Sequence, residues 1–116
     1  MEAGEKERLM PKENVDLERF WDAAEPFLAE DGVEEGTLMG FACVRVGGDF
    51  FAMPKHDTGQ LVCKLPAERV KQLVADGVGQ PFGPGNKVFK EWVLVDFAHE
   101  AQWAGLLAEA KSFVSS

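Results

Sequence analysis

The chain has 116 residues, 46% of them apolar, with nine Phe and three Trp. That is one domain's length of chain, and each large apolar side chain contributes about 1.5–3 kcal/mol when fully buried, so neither a disulfide nor a metal is needed to hold a core together. The net charge of −8 argues against nucleic acid as a partner, because phosphate is bound chiefly by lysine and arginine.

The charge is unevenly placed. Residues 1–35 hold twelve acidic and four basic side chains, and residues 36–116 hold eight of each. Residues 1–13 read as a flexible charged tail with no sustained apolar stripe. From Asn14 the pattern changes. Asn14 or Asp16 can cap a helix in which Val15, Leu17, Phe20, Trp21, Ala24, Phe27 and Leu28 recur at spacings of three and four. Pro26 is expected to kink or end that helix near Glu25. Gly32 and Gly36 then mark a loop.

Thr37 to Val46 reads as a strand. Gly47-Gly48 is a two-residue hairpin turn, Asp49 to Lys55 the return strand, His56-Asp57-Thr58-Gly59 a second turn, and Gln60 to Leu65 a third strand. A two-residue turn places Phe41, Cys43 and Arg45 on one face with Phe50 and Ala52. It places Ala42, Val44 and Val46 on the other with Phe51 and Met53, unless a slip of one residue regroups them. Pro66 opens a helix with Val70, Leu73 and Val74 on its apolar side and Gly77 as its stop. Val78 to Lys90 is an irregular loop rich in Pro and Gly. Glu91 to Phe97 is a strand, and Ala98 to Val114 a last helix with a broad apolar side. The expected fold is α+β: an antiparallel β-meander with an N-terminal, a middle and a C-terminal helix packed on it, in a single domain over residues 14–116.

No residue set carries a catalytic, cofactor or metal signature. Cys43 and Cys63 stand in apolar runs without CxxC spacing and read as buried free thiols of a reducing compartment. His56 beside Asp57 could shuttle protons or bind a metal, but adjacent turn residues seldom aim at one point. His99 reads as a surface residue. Gly83-Pro84-Gly85-Asn86-Lys87 lacks the GxxxxGK[ST] pattern of a phosphate loop. Phe82, Phe89 and Trp92 surround the irregular loop. They either pin it to the core or, with Lys87 and Lys90, form a partly open groove for a peptide, a ligand or a second copy of the chain. The start lacks the apolar segment of a signal peptide, and no apolar run approaches the ~20 residues of a membrane span, so a cytoplasmic chain without a membrane partner is expected.

The order Leu38-Met39-Gly40-Phe41, Gly47-Gly48-Asp49-Phe50-Phe51-Ala52, Leu61-Val62-Cys63-Lys64-Leu65-Pro66, Gly79-Gln80-Pro81-Phe82 and Lys90-Glu91-Trp92-Val93, followed by a helix from Trp103 through Ala110, resembles the TfoX/Sxy N-terminal-domain family. That family is similar in shape to the YjbR (MmcQ-like) proteins, and the resemblance spans residues 15–114. It implies an α+β domain with an antiparallel sheet and no established catalytic residues. Full-length members carry a second, helical domain and regulate natural competence; no such domain is expected here, and the competence role is not carried over. The expected function is therefore a non-enzymatic regulatory or protein-interaction module, as a homodimer or with another protein. Two alternatives stand beside it. One is a YjbR-like nucleic-acid accessory protein using Lys55, Lys64, Lys87 and Lys90. The other is a small-ligand-binding domain with a pocket near the Pro81–Trp92 loop.

Overall fold

The computed structural model describes residues 15–83 and 86–116. The expected tail and the capping role of Asn14 lie outside them. Helix α1 spans Leu17–Leu28 and buries Phe20 and Ala24. It runs through Pro26 instead of ending at Glu25. The proline stands two residues from the helix end, so it removes one late backbone bond and little beyond it has to continue. Asp16 at the N-cap makes no side-chain cap bond. Its carboxylate lies 3.1 Å from Arg19, and its N–H donates to the Thr58 carbonyl at 2.9 Å.

Six strands follow: β1 (Val33–Leu38), β2 (Phe41–Val46), β3 (Asp49–Pro54), β4 (Leu61–Lys64), β5 (Gln80–Pro81) and β6 (Trp92–Val95). They form one sheet in the order β1-β2-β3-β4-β6-β5, with every neighbour antiparallel. The expected α+β class with an antiparallel meander and three α-helices is what the described residues form. Two strands depart from the expectation. The segment expected as a loop and one strand is a hairpin, β1–β2, closed by Met39 and Gly40 at φ 51° and 85° with Leu38 facing Phe41. Two successive positive φ values twist a two-residue turn to suit the strands, and methionine gives no sign of adopting one. Within the expected loop 78–90, Gln80–Pro81 adds a two-residue edge strand on β6. The Gly47–Gly48 turn forms as expected, at φ 60° and 89°.

The pairing slips between Val44 and Arg45, where Val44 faces Ala52 but Arg45 faces Phe50. This bulge regroups the expected faces. Ala52 joins Val44, Cys63 and Val93 on one face, and Met53 lies in register with Val62 and Leu94 on the other.

Helix α2 (Ala67–Ala75) starts after Pro66 and buries Val70 and Leu73. Gly77 at φ 77° ends it, and the N–H groups of Val78 and Gly79 both donate to the Leu73 carbonyl, at 2.9 and 3.0 Å. This is the expected glycine stop. The last helix is not continuous. Asp96 accepts a hydrogen bond from the Ala98 N–H at 3.0 Å and starts a 3-10 turn over Phe97–Gln102, which kinks at His99 before α3 (Trp103–Ser115). Trp103, Leu106, Leu107 and Ala110 of α3 are buried in the main core, with Phe20, Phe51, Leu61, Leu65 and Val95. Cys43, Met53, Val62 and Leu94 form a smaller cluster on the opposite sheet face, with Leu38, Phe50, Phe82 and Trp92 against it. Arg69 of α2 clasps Glu109 of α3 with two bonds of 2.9 and 3.1 Å, and Lys111 of α3 reaches Glu30, two residues past the end of α1, at 2.7 Å.

Candidate functional site

The two-residue β5 leaves the α2 side of the sheet edge incompletely filled. Along α2, Ala67, Val70, Lys71, Val74 and Ala75 follow the i, i+3, i+4, i+7, i+8 spacing and line one wall of a groove. Pro81, Val88, Phe89 and Lys90 line the other. The hollow between them holds about 380 Å³ and is almost wholly apolar, within the ~300–1,000 Å³ range of small-molecule sites. Past Phe89 it adjoins a shallower, more polar hollow of about 500 Å³, lined by Lys64, Ala67, Val88, Phe89, Lys90, Glu91 and Trp92.

Backbone hydrogen bonds hold the second wall in place. The Phe89 N–H donates to the Phe82 carbonyl at 2.9 Å, the Trp92 N–H to Phe89 at 3.2 Å, and the Leu65 N–H to Glu91 at 2.9 Å. The neck of the loop is narrow: a Cβ on Gly83 would lie 2.2 Å from the Lys87 carbonyl oxygen, so only glycine fits. Behind the wall, Gly79 faces Val93 and Leu73, and a Cβ there would come within 2.4 Å of Val93. The groove is therefore shaped before anything occupies it. It also keeps apolar surface in water, with Val88 61% and Phe89 38% exposed.

The residues singled out from sequence separate into two groups. Phe89 and Lys90 line both hollows and Trp92 lines the second. Phe82 packs on the smaller core cluster, and Trp92 stacks on Phe50 with ring centres 4.9 Å apart. Lys87 is exposed and lines neither hollow. The aromatics thus divide the two roles expected for them: Phe82 and Trp92 anchor the loop, and Phe89 stays at the groove.

His56 and Asp57 do not converge. His56 stacks on Phe41 at 4.4 Å. Asp57 pairs with Lys55, whose hydrogen bond holds the Asp57 carboxyl below its usual range. That pairing also takes Lys55 out of the expected lysine set. Cys43 and Cys63 are free and buried, as expected. Burial, reinforced by the Glu109 charge, pushes the Cys63 thiol up to about 12, which makes it a poor nucleophile at neutral pH. Among the described residues, no group of three or more His, Cys, Asp or Glu is placed to hold a metal ion, and no helix is long and apolar enough to cross a membrane.

Sequence reasoning missed the α2 wall. Val70 and Val74 lie on the apolar side of α2, as expected, with Val70 in the main core and Val74 packed against it, but both also line the groove with Ala67, Lys71 and Ala75 of the same helical stripe. Pro81, expected within the irregular loop, is part of the edge strand. Comparison with protein-family models, with curated proteins and with solved structures finds no match for this chain.

Proposed function

We propose that this chain is a non-enzymatic binding domain of TfoX N-terminal type that receives a small apolar ligand in the groove between α2 and the Pro81–Lys90 segment. The observation that carries this reading is a hydrogen-bonded, pre-shaped apolar hollow of about 380 Å³ beside half-exposed Phe89. A pre-formed site avoids much of the ordering cost that a flexible one incurs on binding. A thermal-shift screen of small apolar and amphiphilic compounds tests it, because a ligand of the folded state raises the melting temperature by mass action. Hits should vanish in Val74→Trp, which fills the groove. Hits that persist unchanged in that variant place the site elsewhere and sink the reading.

A second reading, a protein-interaction domain that pairs with another protein or with its own copy, draws on the β1–β2 turn. Met39 is 76% exposed there and Phe41 41%. Light scattering during size exclusion addresses the self-association form. A dimer that Met39→Asp converts to a monomer supports it, and a strict monomer at micromolar concentration removes it. The nucleic-acid alternative is the least favoured, because the acidic excess would repel phosphate.

A further inference from the structure

The mouth of the groove is cationic in a chain that is otherwise strongly acidic. Lys71 and Lys90 stand on its two walls, and Lys64 joins Lys90 in the adjoining hollow. Lys64 lies opposite Trp92 in the strand register, so its position is set by the sheet. Three lysine side chains therefore border the two adjoining hollows, and Glu91 is the single acidic residue among those lining them. Among the described residues, neither Lys64 nor Lys90 forms an ion pair, and Lys71 meets only Glu68, at 3.6 Å with the Glu68 side chain 90% exposed. An exposed pair of that kind is readily exchanged for another anion.

We propose that the groove selects an anionic amphiphile, an unbranched medium-chain alkyl carboxylate whose chain lies between α2 and Phe89 and whose head sits between Lys71 and Lys90. This inference rests on the groove being a binding site. The size agrees: at ~30 Å³ for each water-sized group, the hollow takes about a dozen heavy atoms, and octanoate brings about ten. The polarity agrees as well. The floor offers methyl and methylene groups from Ala67, Val70, Val74 and Pro81, with no polar group set to orient a hydroxyl or amide. The charged partners lie only at the mouth. Lysine suits this task because its ammonium is a mobile point charge that follows a head group without demanding one geometry.

Isothermal titration of the intact chain tests this with octanoate, octanol, acetate and octyltrimethylammonium. Octanol keeps the apolar body without the charge, acetate keeps the head without the body, and the ammonium reverses the charge. Octanoate should bind about 10-fold more tightly than octanol, which is about 1.4 kcal/mol, with the ammonium weaker still and acetate silent. Reversing both wall lysines (Lys71→Glu with Lys90→Glu) should invert the order of octanoate and the ammonium. Both side chains are exposed or line the mouth, so the fold survives; a circular dichroism melt checks it. Val74→Trp should abolish octanoate binding, with Ala67→Phe as the second blocking variant should the first fail to fold. Octanol binding as well as octanoate, or an order unchanged by charge reversal, overturns the anionic head and leaves the groove standing as a site. Octanoate binding that both blocking variants leave intact overturns the groove itself. A peptide with an apolar C-terminus that binds more tightly than octanoate assigns the lysines to a protein carboxylate and overturns the alkyl ligand.

Discussion

The β2–β4 meander and the Pro81–Trp92 crossing are neighbours on one sheet, yet they treat their apolar side chains in opposite ways. In the meander, Cys43, Val44, Phe51, Ala52, Leu61, Val62 and Cys63 show no exposure at all. In the crossing, Val88 and Phe89 face water beside a hollow that nothing in the described chain fills. Beyond Phe41, which is 41% exposed beside the Met39–Gly40 turn, the meander is made of paired strands that bury side chains on both faces. The crossing has a two-residue strand and a glycine-necked loop, and its backbone bonds fix a shape without closing it. Burial without remainder serves stability, while ordered but unfilled apolar surface is what a binding site needs.

The largest effect should come from cutting into the meander. Phe51→Ala is expected to cost about 3–5 kcal/mol, because Phe51 is fully buried in the main core. Phe89→Ala in the crossing should stay within about 0.5 kcal/mol. Urea unfolding of both variants checks the contrast, and similar costs would erase it. The glycines sharpen the same point. Gly59→Ala would place a Cβ 2.1 Å from the Asp16 carbonyl at φ 93°, whereas Gly47→Ala at φ 60° meets nothing within 4 Å. Gly59→Ala should therefore cost more than the about 1–2 kcal/mol of an unhindered left-handed alanine, which is what Gly47→Ala should show. Equal melting temperatures would deny that the meander and α1 are tightly docked.

The thiols report the closure of the meander by chemistry. Native protein should leave both cysteines unreacted with a thiol reagent at pH 8, and denaturant should release both. The Cys63 thiol is raised from 9.0 to about 12 in the fold. Its contribution to stability is therefore complete below pH 9 and is lost as pH rises from there toward 12. A stability curve measured over that range should fall, and a rise would contradict the burial. A small effect is also expected at the tie between α2 and α3. Arg69→Ala removes a pair that is largely exposed and should cost at most about 1 kcal/mol, while leaving the groove intact.

Much of the architecture was legible because its signals are local. Gly47-Gly48 states a tight turn, Pro66 and Gly77 bracket α2, and strand alternation with β-formers marks the meander. The failures have equally local causes. Met39 adopts a left-handed turn that its side chain does not advertise, and Glu34 and Glu35 disguised an edge strand as a loop. The bulge at Val44 and Arg45 depends on how two strands settle against the helices, which no single strand encodes. The site was half legible for the same reason. Phe89, Lys90 and Trp92 stand out in a Pro/Gly-rich loop, but their counterparts on α2 look like any amphipathic helix until the fold sets that stripe across from the loop.

The most direct test of the central claim is a map of amide chemical-shift changes on adding octanoate below its micellar range. The account predicts changes concentrated on Val70, Lys71, Val74, Val88, Phe89 and Lys90. Changes centred on Met39, Phe41 and His56, or the absence of any localised change, would contradict it.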